Sequence, residues 1–309
     1  MSATKASGTD YGLLLGLGAY GCWGLFPAFF PLLKPATAFE VLAHRIVWTL
    51  LLMVVVLVAT GRLRDLRTLD ARTWGLLAGA SAFISLNWVI YIYAVNNGHV
   101  VDAALGYFIN PLVSVALGVA VFGERLNRIQ LVAVLIALSA VVMLTVTTGG
   151  APWIALGLAV SFALYGAVKK VVPADPRVSV CVEAGLAAPF AIVYLTVLAT
   201  SGQATFTSHG AGHLALLLAC GPVTAIPLLL FAGAAQRLPL VTMGLLQYLT
   251  PGLQLAWGVF IGHEPMSAGR WTGFVLIWVA LAIFTADAIR RSRSWTTKQA
   301  EPQPLPAAD

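Results

Sequence analysis

Two stretches of this chain carry polar side chains at helical spacing within an apolar background. The first, Leu105–Glu124, reads LGYFINPLVSVALGVAVFGE; the second, Leu245–Glu264, reads LLQYLTPGLQLAWGVFIGHE. At a constant offset of 140, Pro111 matches Pro251, Gly118 matches Gly258 and Glu124 matches Glu264, while Asn110 falls on Thr250 and Ser114 on Gln254. In each copy a small or polar residue recurs at every fourth position, which lines these residues along one stripe of a helix. A proline inside a helix removes one backbone bond and frees the carbonyl four residues earlier, here those of Tyr107 and Gln247. The chemistry available is non-covalent. A freed carbonyl beside an amide or hydroxyl can hold a neighbouring helix or line a hydrated path through apolar surroundings.

Other polar residues converge on the same kind of chemistry. Asn87, Trp88 and Tyr91 share a helical face in SLNWVIYIYAVNNG and offer an amide, an indole and a phenol. Glu40, His44 and Arg45 cluster in FEVLAHRIVW. An arginine within such a run must reach an interface, pair, or face water or a charged solute. Glu40, His44 and Glu183 are the candidates for coupling or gating. Catalytic signatures are missing: there is no HExxH, no GxSxG and no CxxC. No metal or cofactor is expected. Cys22, Cys181 and Cys220 read as packing residues. Gly16-Leu-Gly18-Ala-Tyr-Gly21 spells GxGxxG, but that motif needs a preceding strand and an aqueous helix start. Here Gly12 and Gly16 instead offer a small-xxx-small packing face.

The elements that must position these residues are membrane helices. Of 309 residues 59% are hydrophobic and 10% charged, whereas soluble proteins carry about 25% charged residues. Ten apolar runs approach the ~20 residues that span a bilayer: 11–32, 38–60, 73–96, 103–122, 129–147, 152–170, 179–201, 212–236, 240–261 and 270–290. With the N-terminus in the cytosol, all but Lys34, Arg45 and Arg270 of the 18 Lys and Arg fall on the cytosolic side. That asymmetry sets orientation, places both termini in the cytosol and argues against nucleic acid as the reason for a net charge of +6. Residues 1–10 are polar and no cleavable signal peptide is visible.

The repeat extends beyond one helix. Ser161-Phe-Ala-Leu-Tyr165-Gly166 mirrors Ala19-Tyr-Gly-Cys-Trp23-Gly24 at an offset of 142, Glu183 sits where Glu40 does, and Ala234–Gln236 echoes Ala94–Asn96. The expected organisation is a cytosolic segment 1–10, a five-helix repeat 11–148, a second repeat 149–291 and a disordered tail 292–309. An odd number of crossings per repeat inverts the second against the first. That brings Pro111 and Pro251 to the midplane, the layout of an alternating-access carrier. A non-transporting sensor or scaffold is the alternative, and an intramembrane enzyme the least supported reading.

The runs EVLAHRIVW from Glu40, NW-x-x-Y-x-x-AVNN from Asn87, LGYFINPLV from Leu105, GERL from Gly123 and IALGLAVSFALYG from Ile154 resemble the drug/metabolite transporter superfamily. Among its EamA-type members they are most similar to the RarD group. The resemblance covers residues 10 to 290. It implies an all-α inner-membrane permease of ten transmembrane helices in two inverted five-helix EamA-type repeats, exporting a drug or metabolite. Small multidrug relatives exchange protons through a glutamate in their first helix. Tyr11–Phe30 contains no acidic residue, which leaves His44 or solute exchange as coupling routes. The expected substrate is a small organic solute, neutral or zwitterionic. Asn87, Trp88, Tyr91, Tyr107, Asn110, Ser114, Gln247, Thr250 and Gln254 would bind it, with Arg45 as a carboxylate partner. Beyond the substrate the expected partner is the lipid bilayer; the sequence assigns no oligomeric state.

Overall fold

Apolar runs of this length form helices because, away from water, backbone groups must bond within their own segment. A computed structural model describes residues 3–122, 126–148, 152–235, 237–238 and 246–299. Among them the chain is helical: α1 (Ala3–Gly24), α2 (Phe26–Phe29), α3 (Ala38–Ala59), α4 (Ala71–Asn96), α5 (Val100–Phe122), α6 (Arg128–Thr148), α7 (Trp153–Val171), α8 (Pro176–Thr200), α9 (Gly210–Ala235), α10 (Leu249–Ala256) and α11 (Ala268–Gln299). Glu124, Arg125, the 149–151 connector and residues 239–245 lie outside the described residues, as does 300–309.

The helix ends carry local signals. Thr37 Oγ1 accepts from Glu40 N at 3.2 Å, Asp70 from Thr73 N and Asp175 from Arg177 N, each occupying an orphan donor of a first turn. The Asn96-Asn97-Gly98 run ends α4. Gly98 adopts φ +74° and His99 N closes back on Ala94 O at 2.8 Å, a left-handed cap that glycine makes without strain.

Six helices among the described residues are long and apolar enough to cross a membrane. Asp10–Gly24 and Phe26–Leu33, joined at a 42° bend, make a seventh. Shorter apolar helices are Val100–Ser114, Trp153–Lys169 and Leu249–Ile261. Large apolar side chains stay on the surface, as Leu51, Val55 and Val58 do on α3, which suits lipid rather than water.

Four features depart from the sequence reading. The first run is not one straight helix: Pro27 removes the bond that would close on Trp23 O, and the chain bends there. Pro111 stays inside an uninterrupted α5, whereas Pro251 occupies the first turn of α10, where a missing N–H costs nothing. The two prolines therefore act differently. Helix α1 already begins at Ala3, within the polar segment, and α11 continues past Ser292 to Gln299.

Contacts divide the chain into two units that differ from the sequence halves: residues 1–122 with 152–266, and 123–151 with 267–309. In the larger unit α5 packs on α7 as α10 packs on α1, α4 packs on α7 as α9 on α1, and α3 packs on α9 as α8 on α4. Helices α3 and α8 pack together, as do α5 and α10. Exchanging the two halves maps the first three pairings onto their counterparts and the last two onto themselves. The crossings are close. A Cβ on Gly106 would lie 2.7 Å from Ala155 O, and one on Gly221 would lie 2.8 Å from Trp48 O. Gly12 and Gly16 meet Leu238 and Leu246, a helix-packing role. In the smaller unit α6 packs on α11, with Asn127 Nδ2 donating to Asp287 Oδ2 at 2.6 Å.

Candidate functional site

Helix α3 puts Arg45 inside the larger unit rather than at an interface. The side chain is 3% exposed. Its Nε donates to Thr224 Oγ1 of α9 at 2.7 Å, and its Cζ lies 4.0 Å from the Trp88 ring centroid. Phe26 and Phe30 flank it at 5.3 and 5.7 Å. The same two rings contact Tyr91, which contacts Tyr107 at 5.8 Å between centroids. Stacking on aromatic faces suits a guanidinium, which is weakly hydrated and planar. Among the described residues Arg45 has no carboxylate within ion-pair distance. Arg45 Nη1, Thr49 Oγ1 and Tyr91 Oη are buried without a partner.

Asn87 extends this group toward the second half of the chain. Its Nδ2 donates to Leu158 O and Ser161 Oγ of α7, both at 3.0 Å, and its Oδ1 accepts from Tyr107 Oη at 3.1 Å. Buried Arg45, Asn87 and Tyr91 and half-buried Trp88 and Tyr107 thus form one polar and aromatic group, held by α3, α4 and α5 against α7 and α9.

The stripe residues lie apart from it. Asn110 Nδ2 donates to Ala159 O of α7 at 3.1 Å, and Thr250 Oγ1 to Tyr20 O of α1 at 2.8 Å. Gln254 Nε2 donates to Trp23 O at 3.2 Å, the carbonyl that Pro27 frees, and its Oε1 is buried without a partner. These bonds join α5 to α7 and α10 to α1. Ser114 is exposed, and Gln247 is half-buried in the turn before α10.

The coupling candidates occupy two places. Glu40 is fully buried; its Oε1 accepts from Thr205 N at 2.7 Å and Thr205 Oγ1 at 3.0 Å, and that hydroxyl also contacts His213 Nε2 at 2.9 Å. His44 stacks on Phe206 at 4.7 Å and accepts from Trp48 Nε1 at 3.2 Å. Glu183 lies elsewhere. It is paired with Lys169 Nζ at 2.6 Å and bonded by Tyr165 Oη at 3.2 Å and Ser179 Oγ at 2.8 Å. Lys169 Nζ also donates to Ser179 Oγ. Beyond the spans, Glu264 accepts from Val100 N at 2.6 Å and Val101 N at 3.0 Å, closing the first turn of α5. Burial pushes its carboxyl up, against those two bonds.

Sequence reasoning missed Thr224, Phe26 and Phe30 around Arg45, and Lys169, Tyr165 and Ser179 around Glu183. Lys169 entered only as one of the cytosolic charges. Its i, i+4 relation to Tyr165 was the available signal.

Repeated apolar spans around a buried polar group define a multi-pass, all-helical membrane protein. The model of the EamA-like transporter family matches residues 10–146. Protein RarD of Streptomyces exfoliatus is 51% identical over 284 residues, covering 91% of this chain and 90% of that protein. The uncharacterized transporter YojE of Bacillus subtilis is 41% identical over 292 residues, 93% of this chain and 97% of that one. A solved crystal structure 19% identical in sequence superposes with a TM-score of 0.60 over 92% of this chain and 98% of its own, a likeness of fold alone. The chain belongs to the EamA-like transporter family, in its RarD group.

Proposed function

We propose that this protein is a secondary-active permease that moves a small organic solute outward across the cytoplasmic membrane by alternating access. The observation that carries this reading is the Arg45–Asn87–Tyr91–Tyr107 group. It combines polar and aromatic side chains of α3, α4 and α5 deep among apolar helices, and it bonds across to Ser161 of α7 and Thr224 of α9 in the other sequence half. A carrier needs such a site, because rocking one half against the other exposes it alternately to each side. Two inverted five-helix repeats and ten spans are favoured by the exchange symmetry of the helix pairings in the larger unit and by the matching of α6 with α11. The bonds between connecting segments agree with both termini being cytosolic. Arg62 reaches Asp175 at 2.8 Å, joining two segments assigned to the cytosol, and Glu264 reaches Val100, joining two assigned outside. Single cysteines at positions 5 and 298 in a cysteine-free background should react with an impermeant maleimide only after permeabilisation.

The function itself is tested by a thermal-shift screen of purified protein against metabolites and drugs, since a ligand of the folded form raises its stability. Ligands found this way should enter proteoliposomes through the wild-type protein. Asn87→Ala, which unpairs Tyr107 Oη and removes the donor to Ser161 Oγ, should lose most of that flux. Binding without flux above protein-free vesicles for every ligand would refute the carrier reading.

A further inference from the structure

We propose that the Arg45 group is a binding site for an organic monoanion, a carboxylate or sulfonate on a flat apolar body. This deepens the carrier reading and rests on it for its purpose. Arg45 carries a full positive charge at 3% exposure, and its bonded partner Thr224 is neutral. The Trp88, Phe26 and Phe30 rings solvate that charge partly through their quadrupoles but do not cancel it. A buried charge is ordinarily paired. Around it stand three buried groups able to donate and without partners: Arg45 Nη1, Tyr91 Oη, and Thr49 Oγ1 one turn along the same face of α3. The rings of Phe26 and Phe30 touch both Arg45 and Tyr91. The anion would meet N–H and O–H donors, and its body would meet aromatic walls.

The charge count selects a monoanion. Lys169 is already paired with Glu183, and Glu40 precedes Arg45 by little more than one turn on α3. A dianion would leave net negative charge buried near Glu40, whereas one negative charge cancels Arg45.

The test titrates purified protein in detergent with sodium benzoate, benzenesulfonate, neutral benzamide and dianionic phenyl phosphate, reading tryptophan fluorescence and thermal shift. Benzoate and benzenesulfonate should bind saturably, benzamide and phenyl phosphate at least about tenfold more weakly. Arg45→Gln should abolish the response. Tyr91→Phe, which keeps the ring and the fold, should weaken it several-fold. Equal binding of benzamide, or benzoate binding unchanged in both variants, would overturn the proposal. Saturable benzenesulfonate binding with no flux of it or of any other bound ligand would sink the carrier reading and leave the site. Benzenesulfonate transported equally by wild type and Arg45→Gln would do the reverse.

Discussion

Replacing Gly106 by alanine probes the packing that holds the site together. The added Cβ would lie 2.7 Å from Ala155 O, 3.0 Å from Ala155 Cα and 3.0 Å from Leu158 Cβ. Two of those atoms are backbone and cannot rotate aside. Ordinary contact begins at 3.4 Å, so α5 and α7 must separate locally by 3.4 − 2.7, about 0.7 Å. Overpacking of this kind costs about 1–3 kcal/mol. The same displacement would stretch the Asn110–Ala159 bond from 3.1 Å beyond hydrogen-bonding range and remove about 1 kcal/mol more. Alanine returns up to ~1 kcal/mol through its helix propensity. The net loss is therefore about 1–3 kcal/mol, the sum of those three effects. Gly79→Ala is the control. A Cβ there meets nothing within 4 Å, so only the propensity gain remains. At roughly 2–4 °C per kcal/mol, the two variants, about 2–4 kcal/mol apart, should differ in Tm by about 4–16 °C in differential scanning fluorimetry. Equal melting temperatures would refute the close α5–α7 crossing.

Further predictions concern the caps and ion pairs. Thr37→Ala removes the acceptor for Glu40 N and should destabilise by ~1 kcal/mol in the same assay, with Thr37→Ser restoring most of it. Glu183→Gln leaves the half-buried Lys169 without its counter-charge and should cost about 1–3 kcal/mol; Lys169→Met in the same chain should recover much of that loss. The Asp175 carboxyl is pushed up by partial burial, but its bonds to Arg177 and the charge of Arg62 outweigh this and hold it below the usual 3.8. The unfolded chain therefore takes up that proton first as pH falls. The stabilisation is complete above about 4 and is lost as pH drops through the lower folded value. Asp175→Asn should flatten that acid limb in stability measured against pH.

The sequence by itself determined the solvent, the secondary structure and the family. Apolar runs near 20 residues can only be helices in lipid, and seven of the ten expected runs have single-helix counterparts whose ends shift by a few residues. The caps of α3, α4 and α8 are local chemistry, since Thr37, Asp70 and Asp175 each bond a donor two or three residues on. The duplicated stripe was legible for the same reason, since periodicity and offset need no third dimension. What Asn110, Thr250 and Gln254 bond to was not: an amide on a helical stripe serves a neighbouring backbone or a solute equally well, and only the placement of α7 and α1 beside those stripes brings Ala159, Tyr20 and Trp23 within reach. Arg45 shows the division most plainly. Its position in an apolar run announced a buried or snorkelling charge, but snorkelling and burial differ only in which helices surround it. Thr224 lies 179 residues further along the chain, and Phe26 reaches Arg45 because the chain bends at Pro27. Contacts of that range exist only once the helices have packed, because no local propensity encodes a partner on another helix.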